Sequence, residues 1–104
     1  MDRRMKIQPE QTITVRMSER DRALLLENTL GDPEYAERLR PAPASDGLVG
    51  DYTLDDLEDM LGYVAAEANH TEDKKLRREL DALYDRLFRS QRSYDDGNWN
   101  DSAI

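Results

Sequence analysis

A chain of 104 residues allows one domain with a modest core. Its composition, 38% hydrophobic against 37% charged, is lean for a globular protein, so loose segments are expected at the ends. The formal charge of −8 argues against non-specific binding to nucleic acid or anionic membrane, and the absence of cysteine excludes disulfides and thiolate metal sites.

The charge is unevenly spread. Residues 1–20 carry five basic and three acidic side chains, whereas residues 51–70 carry six acidic and no basic ones. Residues 71–92 carry seven basic and five acidic, and the last twelve add three aspartates. No apolar run approaches the roughly 18–20 residues of a membrane span. The opening MDRRMK is basic without an apolar region after it, so no signal peptide is expected. A soluble cytoplasmic protein follows as the expectation.

Residues 1–10 lack periodicity and are expected to fray. Thr12–Met17 then alternates, with Ile13, Val15 and Met17 inward and Thr12, Thr14 and Arg16 outward, the signature of a half-buried strand. Ser18 followed by Asp21 is close to a capping box and opens a helix over 19–29. Ala23, Leu24 and Leu26 or Leu30 supply its apolar face, and Gly31 its expected end. Asp32-Pro33 restarts a helix of about two turns, with Tyr35, Ala36 and Leu39 on its buried side. The Pro/Ala/Ser/Asp/Gly stretch over 41–47 reads as a loop. Leu48–Tyr52 is a candidate short strand, and the 12–17 strand pairs either with it or with its own copy in a second chain.

Thr53, with Asp56 three residues on, caps a helix running to Asn69. Leu54, Leu57, Leu61, Val64, Ala65 and Ala68 form one stripe of it. Because no charge occurs between Met60 and Ala66, burial on more than one side is expected. Thr71 caps the next helix, in which Leu76, Leu80, Leu83 and Leu87 form a heptad-like seam beside Tyr84 and Phe88. Asp73–Arg77 and Asp85–Arg89 are i,i+4 acid–base pairs. The short connection makes the two helices an antiparallel hairpin. Residues 93–104, dominated by Ser, Asp, Gly and Asn, read as a disordered acidic tail.

No chemistry-bearing motif stands out. Glu67-x-x-His70 has the spacing used in di-metal bundles, but its two side chains diverge on the helical wheel and the chain has no second histidine. The acidic run from Asp51 to Asp59 lacks the spaced oxygens and glycine turn of a calcium loop, and suits the positive end of a helix instead. Neither a Gly-x-Ser-x-Gly turn nor a phosphate loop is present. No catalytic, cofactor or metal site is therefore expected, nor a small-molecule substrate.

Residues 12–30, TITVRMSERDRALLLENTL, resemble the first half of a ribbon–helix–helix repressor. The resemblance implies strands paired across two chains, with Thr12, Thr14 and Arg16 reading bases in the major groove and Ile13, Val15 and Met17 in the dimer core.

The fold expected is a helix-dominated α+β domain over residues 1–92. It comprises a short N-terminal strand, two short helices, a second short strand near 48–52 and a long αα-hairpin. The function expected is non-enzymatic: protein–protein interaction or regulation, with self-association or a protein partner. Tyr63, Ala66, Tyr84 and Phe88 are the candidate partner-binding surface. The DNA-binding repressor is the alternative, with nucleic acid disfavoured by the charge.

Overall fold

The computed structural model describes residues 5–8, 10–43 and 46–95. Its sheet follows from the alternation in Ile13–Met17, strand β2, whose Ile13, Val15 and Met17 are buried while Thr14 and Arg16 are exposed. β2 pairs antiparallel with Leu48–Tyr52 of the same chain, Ile13 opposite Tyr52, Val15 opposite Gly50 and Met17 opposite Leu48. The pairing left open by the sequence is thus made within the chain. A third, two-residue strand, Arg40–Pro41, adds to the far edge of Leu48–Tyr52, so part of the expected loop is sheet. Proline is tolerated there because an edge position needs no second ladder hydrogen bond. In chain order the strands are β1 (Met5–Lys6), β2, β3 (Arg40–Pro41), β4 (Leu48–Tyr52) and β5 (Tyr94–Asp95).

Helix α1 spans Glu19–Glu27, opened by a complete Ser18/Asp21 capping box. It ends two residues before the expected Thr29, and Gly31 is not its left-handed stop; among the described residues only Gly47 has positive φ. Leu24 and Leu25 are its buried leucines, whereas Leu26 and Leu30 face solvent. Gly31 has a different use: a Cβ there would fall 2.5 Å from the Tyr63 ring, which lies across it. Helix α2 is one turn, Glu34–Glu37, with Ala36 and Leu39 buried beneath it.

Helices α3 (Leu54–His70) and α4 (Lys74–Arg92) form the expected antiparallel hairpin. Leu54, Leu57, Met60, Leu61, Val64 and Ala68 are buried on α3. At 100° per residue these six span an arc of about 120°. Gly62, Tyr63 and Ala66 lie outside it and are exposed, which overturns the expectation of burial on more than one side. The sheet and α4 share one wide face, and the small N-terminal half touches the far side where Gly31 meets Tyr63 and where the Tyr35 hydroxyl reaches Asp59. Leu80, Leu83 and Leu87 of α4 fill the seam, with Leu76 half-buried at its end.

Asp73, not Thr71, caps α4, accepting from the N–H groups of Lys75 and Leu76. The Arg77 guanidinium, expected on the Asp73 carboxylate, donates instead to the carbonyls of Ala68 and Thr71, closing the end of α3. The Asp85–Arg89 pair forms as expected, at 2.8 Å. Two further ion pairs tie α1 to α4: Arg20 grips Glu79 through two hydrogen bonds, and Arg86 meets the buried Asp21 of the capping box.

Met5–Lys6 and Tyr94–Asp95 pair as parallel strands, so ordered structure reaches past both the expected frayed start and the expected boundary at residue 92. Ile7 and Tyr94 pack against the core. Residues 96–104, the rest of the expected tail, lie outside the described residues. Among the described residues no helix is long and apolar enough to cross a membrane.

Two glycines should respond oppositely to alanine. At Gly50 a Cβ would lie 2.7 Å from the fully buried Tyr52 ring, so Gly50→Ala is expected to lower unfolding free energy by about 1–3 kcal/mol. At Gly62 a Cβ meets nothing within 4 Å, and Gly62→Ala should raise it by roughly 0.5–1 kcal/mol. Urea denaturation of dilute protein measures both.

Candidate functional site: a groove along the hairpin

On α4, Tyr84 and Phe88 are one turn apart and sit on the flank of the leucine seam. Their rings stack with centroids 6.1 Å apart and planes 12° from parallel. Arg92, one turn further, places its guanidinium 5.6 Å from the centre of the Phe88 ring. Opposite them α3 presents only Leu61, Gly62 and Ala65, so a groove of about 280 Å³ opens between large side chains and small ones. Glu58 and Gln91 close its lower end through a hydrogen bond of 2.5 Å, and Gln91 is itself buried. Tyr84 and Phe88 remain 36% and 37% exposed, enough to offer apolar surface to another chain.

The four residues marked as a partner surface by the sequence are divided by this geometry. Tyr84 and Phe88 line the groove. Ala66 is exposed on α3, one turn beyond Gly62, while Tyr63 turns the other way onto Gly31. Leu61, Gly62 and Ala65 were not marked, although the uncharged window from Met60 to Ala66 pointed at them.

The sheet residues of the repressor resemblance are also placed. Thr12 is exposed before β2; the Thr14 hydroxyl donates to Asp51 at 2.8 Å; Arg16 lies across from Val49. Arg40 flanks Val49 from the other side and pairs with Asp51 at 3.3 Å. Val49, which stands between Arg16 and Arg40 in the ladder, is buried on this outer face. A carboxylate therefore stands in the middle of the face. Glu67 and His70 do not converge: the imidazole Nδ1 lies 2.8 Å from the Ala66 carbonyl, and His70 is exposed. Among the described residues no three His, Cys, Asp or Glu side chains come together to hold a metal. A hollow of about 460 Å³ beside α1 is walled partly by Asp21 and Arg86, which neutralise one another, and by the capping Ser18.

A dense polar cluster surrounds Arg38, between α2, β4 and α3. Its guanidinium carbon lies 5.5 Å from the centres of both the Tyr35 and Tyr52 rings. It donates to Asp56 at 2.7 Å, to the Asp51 carbonyl at 3.2 Å and to Glu34 at 2.8 Å. The Tyr52 hydroxyl donates to the Tyr35 carbonyl, and the Tyr35 hydroxyl to Asp59. Burial pushes the Tyr52 phenol up to about 12, and burial together with the Asp59 bond raises Tyr35. The bond to Asp56 raises Arg38 further against its burial. Burial alone would raise Asp56, but the bonds from Arg38 and Thr53 outweigh it and hold the carboxyl below its ordinary value. With every named group satisfied, this cluster reads as a clasp joining the sheet half to α3.

Because the folded Asp56 carboxyl lies below its unfolded value, its stabilisation is present above about pH 4 and is lost as pH falls through the depressed value. Asp56→Asn should therefore destabilise the protein by about 1–3 kcal/mol at neutral pH and flatten the decline in stability below about pH 4. Urea midpoints measured between pH 2 and 7 check this. Comparison of the chain with protein-family models, with curated proteins and with solved structures finds no match.

Proposed function

We propose that this chain is a non-catalytic interaction or regulatory protein of the cytoplasm that docks another protein chain on the outer face of the α3–α4 hairpin. The observation that carries the reading is the Tyr84/Phe88 stack left open over Gly62 and Ala65. Aromatic side chains facing small residues provide an apolar knob and a place to seat one, the composition of a partner-binding centre. The Arg38 clasp, whose members bond mainly to one another and to backbone, supports a structural role for the perturbed groups rather than catalysis. Absence of cysteine suits a reducing compartment.

Recognition of DNA by Thr12, Thr14 and Arg16 gains less support. Asp51 engages Thr14 and Arg40 on the same face, and a carboxylate there repels phosphate.

Affinity capture from the native cell extract tests the docking reading. Wild-type protein is expected to retain a chain, another copy included, that Phe88→Asp loses while keeping its helical circular dichroism. Equal capture by both proteins would contradict it.

A further inference from the structure

Resting on that docking reading, we propose that the occupant of the groove is a second copy of this chain. The two hairpins pack face to face about a two-fold axis parallel to the helices. Each α3 then lies on the partner's α4.

The charges of the hairpin select this arrangement. Leu54–His70 carries five carboxylates and no lysine or arginine, a net −5. Lys74–Arg92 carries seven cations and three carboxylates, a net +4. Two identical hairpins can meet face to face in two simple ways. An axis perpendicular to the helices sets α3 on α3 and α4 on α4, acid against acid and base against base. An axis parallel to the helices sets α3 on α4 in both halves, so unlike charges meet twice. It also makes all neighbouring helices antiparallel, the up-down-up-down order of a four-helix bundle.

Side-chain size points the same way. Rotation about a parallel axis keeps each residue at its own height along the bundle. Within one chain, Phe88 stands level with Leu61 and Gly62, and Tyr84 with Ala65, as the groove between them records. In the pair, the aromatic stack of each α4 therefore faces the Gly62–Ala66 segment of the other α3, large against small. Near the same end, the exposed Asp55 that opens α3 comes beside the partner's α4 end with its exposed Arg92, which lies on the Phe88 side of the helix. Two helices of about 26 Å by a width of about 20 Å give a footprint of roughly 500 Å² per copy. That is below the ~800 Å² of a standard interface, so association in the micromolar range, weakened by salt, is expected.

Sedimentation equilibrium from micromolar to millimolar protein tests the pairing. Wild type should show a reversible monomer–dimer equilibrium, and Phe88→Asp a monomer with unchanged circular dichroism. Asp55→Arg, and separately Arg92→Glu, should each weaken dimerisation at least tenfold by placing like charges together at both symmetry-related contacts. Mixed in equal amounts these two variants should recover wild-type affinity, because in the mixed pair both contacts again join opposite charges. A dimer whose variants show no such recovery overturns the arrangement. A monomeric wild type overturns self-pairing while leaving docking in place if Phe88-dependent capture finds a different protein; with no such capture, both readings fall.

Discussion

The sheet and α4 both bury themselves against the same apolar arc of α3, and this shared face is the constraint on which the molecule depends. Met60 and Val64, both fully buried, belong to that arc together with Leu54, Leu57, Leu61 and Ala68. Full burial of a leucine-sized side chain is worth about 1.5–3 kcal/mol, so this face dominates the stabilisation available to so small a core. Since two neighbours are satisfied by one face, the described residues reach the other mainly at Tyr63 and Asp59. The outer side of α3, with Gly62 and Ala66, is left open by construction.

Polar contacts then fix how the two halves sit on that face. Arg38 ties α2 and β4 to the start of α3, where Asp56 also completes the helix cap, so one carboxylate serves both junctions. Asp21 does the same for α1, closing its capping box and receiving Arg86 from α4. Both acids sit at the third position of a helix, where the backbone dipole already favours negative charge. An arginine from elsewhere in the fold needs only to reach a carboxylate that local structure has placed. The hairpin carries five carboxylates and no lysine or arginine on α3, and seven cations against three carboxylates on α4, and that separation of charge gives its outer face a direction.

Much of this was readable in the residues. The β2 alternation, both capping boxes, the α4 seam and the hairpin follow from local spacing, and the helix-dominated α+β architecture with them. What was not readable depended on distant contacts. Gly31 looked like a helix stop, but it is small because Tyr63 lies on it. Leu25 and Leu26 are equivalent by composition, and only the packing of the other elements decides that the first joins the core. β3 was hidden by Pro41, which discourages a strand everywhere except at an edge. For the groove, Tyr84 and Phe88 were legible as residues flanking a seam, whereas Tyr63 belonged to another surface because the uncharged stretch of α3 wraps the helix and gives no direction around it.

In the proposed pair the outer face of the hairpin, rather than the sheet, meets a second copy. Backbone amide NMR spectra over a dilution series test it most directly. The amides of Gly62, Ala65, Tyr84 and Phe88 should shift with protein concentration while those of Thr14, Arg16 and Asp51 stay fixed. Concentration-dependent shifts confined to the sheet, or none at either place, would contradict it.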